Sequence, residues 1–281
     1  MKIKFDLKNR KKLEFNIKTH DQLAQYYNNR HPEIYNPLEQ SRLARIIDKL
    51  IGNFKNKKIN VLDFGAGTGN LTRHFLNQGC YVTAADVSRK SLDILKKKYE
   101  NSLLLDTKLL RGTSLPFKDN FFDICTTYSV LHHIQDYFQA IRELIRVTKP
   151  GGYIYIDHEH NSNHWNPNKI LNEYYELTKK SKSKKFIEML IKLEIFKPRF
   201  IKSFIIKRTI NPRYKSEGDI HVWPDDHIQW DKIITLFKKN RINILKKVDY
   251  LMYLPTISVN IYNKYKNECN NMKYIIAKKT F

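Results

Sequence analysis

Val61-Leu62-Asp63-Phe64 runs straight into Gly65-Ala66-Gly67-Thr68-Gly69, and Asn70-Leu71 opens a helical pattern at once. The stretch Ile59 to Phe64 is β-branched or bulky, as an inner parallel strand buried on both faces requires. Three alternate glycines remove three Cβ atoms where the chain must turn, so a ligand can lie against bare backbone and the N-terminus of the next helix. The spacing restricts the ligand. A dinucleotide fingerprint needs glycine at its first, third and sixth places, and the sixth place here is Asn70, so a pyrophosphate site is not indicated.

Downstream of the turn, apolar segments and helical patterns alternate in a fixed order. Helices are expected near 70–78, 89–99 and 136–147, and strands at 81–86, near 108–111, at 122–127 and at 152–157. Tyr81 to Asp86 ends in an acid 21 residues beyond Gly65, placed to accept hydrogen bonds from ribose hydroxyls. Leu115-Pro116-Phe117, Ser129 to Ile134 and Arg146 to Tyr153 follow in turn. The set resembles the class I S-adenosylmethionine-dependent methyltransferases, type 11 group, across residues 61–157. That resemblance implies an α/β fold: a doubly wound, mostly parallel seven-stranded sheet of Rossmann-like methyltransferase type. Helices precede the sheet, and a helical insertion follows the fifth strand. It also implies S-adenosyl-L-methionine as cofactor, held by Asp63, Gly65, Ala66, Gly67, Gly69, Asp86, Val87, Ser114, Leu115 and Tyr128. One position departs from the group, which commonly has an acid four residues before Leu-Pro-Phe; this chain has Arg111. Adenine recognition is then left to backbone near Ser114 and Leu115, or to Asp106.

Four segments are expected: 1–58, an arm and helices over the cofactor; 59–157, the binding core; 158–226, a basic helical lid for the acceptor; and 227–281, a last helix with closing antiparallel strands near 242–249 and 273–279. Helices are read at 20–29, 39–51, 166–181 and 183–196, with Tyr26, Tyr27 and His31 as candidates for the pocket mouth. Asp226 with Gln229 reads as a capping box starting another helix. His221, Asp225, Asp226 and His227 therefore read as a helix start rather than a metal cluster, and no metal is expected.

Charge narrows the partner. The 281 residues carry net charge +23, yet residues 61–156 hold 12 basic and 9 acidic side chains while residues 179–215 hold 13 and 2. The basic stretch reads as a solvated helix face, as a greeting for an anionic acceptor, or, with its apolar positions across 183–206, as a peripheral membrane contact. A cytoplasmic protein is the expectation, possible contact with the inner membrane face included, because the start lacks a signal-peptide pattern.

Methyl transfer from a sulfonium needs alignment and, for a hydroxyl or protonated amine, a base. His160 and His158, read as lying in a loop after the fifth strand, are the first candidates, and His133 is next. The expected reaction is O-methylation of a small, sugar or lipid-linked acceptor, with RNA methylation or a silent cofactor-binding partner subunit as alternatives. Against RNA, Thr126-Thr127-Tyr128-Ser129 lacks the Asn/Asp-Pro-Pro-aromatic stretch of enzymes acting on base amino groups.

Overall fold

The computed structural model describes residues 24–54, 58–179 and 227–280, with Glu14, Ile17, Lys18, His20 and Asp21. The expected helix over 183–196, the rest of the basic stretch, and His221, Asp225 and Asp226 lie outside the described residues.

A short 3-10 turn at Ala24–Tyr26 leads into α1 (Tyr27–Arg30), so the single helix expected over 20–29 is broken. Next comes α2 (Pro37–Ile51), whose start is fixed by proline at its first position and by Asn36, which accepts a hydrogen bond from the Glu39 N–H. The sheet is built from β1 (Asn60–Phe64), β2 (Tyr81–Asp86), β3 (Leu105–Leu109), β4 (Phe122–Tyr128), β5 (Thr148–His160), β6 (Ile242–Tyr250) and β7 (Met272–Lys279). Their spatial order is β3-β2-β1-β4-β5-β7-β6. β7 runs antiparallel to both its neighbours, while β1 to β5 pair in parallel. The order reverses between β1 and β4, and ligands of such sheets bind at that switch, beyond the carboxyl ends of the strands.

Crossover helices α3 (Asn70–Asn77), α4 (Arg89–Lys98) and α5 (Tyr137–Val147) cover the sheet. Beyond it lie α6 (Ser162–Trp165), α7 (Lys169–Thr178), α8 (Trp230–Lys239) and α9 (Val259–Tyr265). Apolar side chains of β1, β2, α2 and α3 bury one side of the sheet, including Leu43, Ile47, Val61, Leu71 and Phe75, each at most 1% exposed. Burial of such side chains contributes roughly 1.5–3 kcal/mol each and fixes the strand ends that carry the site.

The helix read at 166–181 is observed as α7, Lys169–Thr178, and three further boundaries differ from expectation. β3 sits three residues earlier than the 108–111 reading: Val82 pairs with Leu105, and the edge strand alternates half-buried and exposed residues, which leaves Arg111 in a turn. α8 begins at Trp230, and Gln229 is its cap residue with no side-chain cap bond, so the capping box is not formed. β5 extends to His160 because β7 stays paired with it through His160↔Met272, beyond a bulge between Ile156 and Glu159. Both histidines expected in a loop are therefore strand residues.

Candidate functional site

A cavity of about 800 Å³ opens at the carboxyl ends of β1, β2 and β4, within the usual size of small-molecule sites. Asp63, Gly65, Ala66, Gly67, Asp86, Val87, Tyr128 and His133 line it, so eight of the residues selected from sequence are brought together. Gly69 is not among the lining residues; it starts α3, and a Cβ there would sit 2.4 Å from the Leu95 side chain. Gly65 is equally constrained, with φ +75° and its would-be Cβ 2.3 Å from Val130. At Gly67, by contrast, an added Cβ would meet nothing within 4 Å. The turn is therefore packed hard at its two ends and open at its centre, where it faces the cavity.

The two acids of this wall are held by backbone. Asp86 accepts the Gly67 N–H at 2.8 Å and the Ser88 N–H at 2.7 Å, and burial pushes its carboxyl upward. Asp63 accepts the Thr72 N–H at 2.9 Å and its hydroxyl at 2.6 Å. Burial raises the Asp63 carboxyl to about 6, with the nearby Asp86 charge adding to the effect. Above them, Thr68 donates to Asn28 at 2.9 Å and meets the Tyr35 hydroxyl at 3.3 Å. Asp21 accepts the Ser88 hydroxyl at 2.6 Å, so the segment before β1 is fastened to the glycine turn and to the start of α4. Tyr27 lines the cavity with the His31 ring tilted against it, centroids 4.2 Å apart, whereas Tyr26 is exposed.

On the adenine side the lining runs from Leu109 to Thr113, Arg111 included, and contains neither Ser114 nor Leu115. Leu115 is occupied elsewhere: its N–H donates to Glu143 at 2.8 Å, and its carbonyl accepts from Arg146 at 2.8 Å. Asp106 is exposed on β3, away from the cavity lining. Gly112 and Thr113 are thus the backbone offered to the cavity at this point.

Of the three candidate bases, only His133 lines the cavity. Its ring meets that of His20 edge to face, with centroids 5.4 Å apart. At the β5 bulge His158 takes φ +58°, which turns it inward: it is 5% exposed and shares hydrogen bonds with the hydroxyls of Tyr128 at 3.0 Å and Tyr250 at 3.2 Å. His160 stacks on His164 with centroids 3.5 Å apart, and its carbonyl accepts from the Trp230 indole.

Behind Tyr128 lies a polar cluster that no local motif announces. Arg42 donates to Glu39 at 2.5 and 2.8 Å, to Asp157 at 2.8 Å and to the Tyr250 hydroxyl at 3.0 Å. Tyr155 also donates to Asp157, and Tyr128 donates to Glu39 at 2.8 Å. Arg42 holds the Glu39 carboxyl well below the usual range despite burial. Burial and the surrounding carboxylates push the Tyr128 hydroxyl well above its ordinary value, so it stays protonated. Among the described residues no group of three or more His, Cys, Asp or Glu is arranged to hold a metal ion, and no helix is long and apolar enough to cross a membrane.

Two features bear on whether the cavity fits a nucleoside with an amino-acid tail. The centre of the turn is open at Gly67, and the buried Asn70 Nδ2 at the start of α3, in the lining, has no hydrogen-bond partner. The open turn, the orphaned donor and the strand-end carboxylate of Asp86 all suit S-adenosylmethionine.

Comparison with known proteins agrees. Residues 62–156 match the methyltransferase domain family. Demethylmenaquinone methyltransferase of Streptomyces griseus is 42% identical over 96 residues, 34% of this chain and 40% of that protein. Ubiquinone/menaquinone biosynthesis C-methyltransferase UbiE of Pectobacterium carotovorum is 34% identical over 102 residues, 34% of this chain and 41% of that protein. The alignment thus spans about two fifths of these relatives' length. The structure of a SAM-dependent methyltransferase from Methanosarcina mazei superposes with TM-score 0.52 at 19% identity, covering 82% of this chain and 97% of that one. Match, strand order and site together identify residues 62–156 as a methyltransferase domain of the class I, S-adenosylmethionine-dependent type.

Proposed function

We propose that the protein transfers a methyl group from S-adenosylmethionine to an oxygen of a small, sugar or lipid-linked acceptor. The observation that carries this reading is a single cavity joining the open glycine turn and Asp86 to His133. When bound, the cofactor supplies a methyl group on a positively charged sulfur. Asn70 Nδ2 and the start of α3 offer donors to its carboxylate. Asp86 uses one lone pair of each oxygen on backbone and keeps others for the ribose hydroxyls. Val87, Gly112 and Thr113 line the cavity where they would hold the adenine, Val87 through its apolar side chain and the other two through backbone.

His133 is the base on this reading, since His158 and His160 are turned away from the cavity. It would take the acceptor hydroxyl proton as the oxygen accepted the methyl group that the bound cofactor would supply. Alignment of the two reactants by the cavity walls provides most of the rate, as in any in-line displacement.

The names of the relatives favour a second reading, transfer to carbon. Their likeness covers only the cofactor half, so it informs the donor more than the acceptor. One experiment addresses both. The protein is incubated with methyl-labelled S-adenosylmethionine and a cell extract, and the label is partitioned into organic, small aqueous and nuclease-sensitive fractions. Labelled methoxy groups in either of the first two support O-methylation, labelled C-methyl groups replace it with the second reading, and nuclease-sensitive label overturns both.

A further inference from the structure

We propose that an aromatic wall of Tyr128, Tyr27 and Tyr35 selects the cationic sulfonium cofactor over the neutral thioether left after transfer, with Glu39 as a positioning residue behind Tyr128. The inference rests on the cofactor reading above and adds to it a charge preference. All three tyrosines line the cavity, from β4, α1 and the segment before α2. Tyr27 and Tyr35 meet edge to face with centroids 6.4 Å apart, and Tyr35 is tied to Thr68 of the glycine turn.

Tyr128 is fixed more tightly than a wall residue needs to be. His158 covers one ring face, with centroids 4.6 Å apart and planes at 18°, and the hydroxyl is spent on Glu39. What Tyr128 offers the cavity is therefore ring surface rather than its hydroxyl. An aromatic face attracts cations, and a phenol donating to a carboxylate is richer in electron density than a free one. The cluster behind it sets two carboxylates, Glu39 and Asp157, against the guanidinium of Arg42 and the His158 ring, which lies 3.6 Å from Glu39. Buried ion clusters seldom add stability over well-packed apolar residues, which leaves a charge preference as a use for this one. When the methyl group leaves, sulfur loses its positive charge and the wall loses its hold.

The test is calorimetric titration with S-adenosylmethionine and with S-adenosylhomocysteine. Tyr128→Leu is expected to weaken the first by about 2- to 30-fold, the range of a cation–aromatic contact, while the second changes less than about twofold. Tyr128→Phe, which keeps the ring, retains most of the preference, and Glu39→Gln reduces it in the same direction. Should Tyr128→Leu not fold, Tyr27→Leu on the half-buried side of the wall gives the same comparison. Equal weakening of both ligands in the leucine variants, or none in either, overturns the proposal and leaves the cofactor reading standing. A wild-type protein that binds neither ligand overturns both.

Discussion

The glycine-turn wall of the cavity and the polar cluster behind Tyr128 both bury two carboxylates, yet they hold them by different means. Asp63 and Asp86 are met mainly by backbone N–H groups and a threonine hydroxyl. Glu39 and Asp157 are met mainly by one guanidinium and several tyrosine hydroxyls drawn from α2, β4, β5 and β6, with the His158 N–H as a backbone donor to Asp157. Backbone donors come with the fold and cannot be mutated away. A side-chain cluster stands or falls with one cation, and Arg42 at α2 is that cation. The first wall is therefore robust and local, and the second is fragile and long-range.

The largest effect is expected where the cluster loses its cation. Arg42→Met leaves Glu39 and Asp157 buried with hydroxyl donors but no guanidinium and should cost about 3–5 kcal/mol in urea unfolding. Neutralising the acids as well, in Glu39→Gln/Arg42→Met/Asp157→Asn, should cost less than the single change, because no unpaired charge remains. A triple variant less stable than the single one would show that packing, not charge, holds the cluster.

Next comes a break in the backbone-held wall. Gly65→Ala must adopt a left-handed φ and drive its Cβ into Val130. Strain and overpacking together predict a loss of about 2–4 kcal/mol. Adding Val130→Ala separates the two: it should recover the overpacking part and leave the strain. Complete rescue would mean that the turn tolerates a side chain and that only the neighbour forbids it.

The same contrast explains what could be read from the chain. The sheet order, the turn and Asp86 were legible because each is a contiguous pattern of apolar runs, glycines and strand-end acids. His158 misled because the β5 bulge is set by pairing with β7, more than a hundred residues later, and a reversal of one strand residue leaves no local trace. Glu39 and Arg42 read as ordinary helix residues, being i and i+3 on α2; only the fold brings Asp157 and Tyr250 to them. Tyr35, Thr68 and His20 were passed over for the same reason: their partners lie across the cavity mouth. The Leu115 backbone is engaged by Glu143 and Arg146 of α5, a partnership that no local pattern carries.

A pH scan sharpens the comparison further. Asp63 titrates near 6 in the folded protein against 3.8 when unperturbed, so the folded state binds its proton more tightly. The resulting stability is fully present below about pH 4 and is lost as pH rises through 6, by about 3 kcal/mol at most. Asp63→Asn should flatten that slope in thermal melts between these pH values. Glu39 behaves oppositely: its lowered carboxyl contributes stability that is fully present above the ordinary carboxylate range and is lost progressively as pH falls below it. An unchanged slope in Asp63→Asn would place the proton uptake elsewhere.

The smallest effect belongs to a pair that looks on paper like Arg42 and its acids but sits at the opposite end of the sheet. Lys149 Nζ lies 2.9 Å from both oxygens of Asp123, where β4 and β5 begin, and the lysine side chain is 36% exposed. Asp123 also accepts the Asn60 N–H at 2.9 Å, so it keeps a donor when the lysine is gone. Water can reach both partners, and an exposed pair of this kind contributes about 0.2–1 kcal/mol. Lys149→Ala should therefore shift urea unfolding by less than about 1 kcal/mol, with the difference shrinking as salt is added. If it cost as much as Arg42→Met, burial would not be what separates the two ion pairs, and the backbone-held wall and the side-chain-held cluster would have to be distinguished on other grounds.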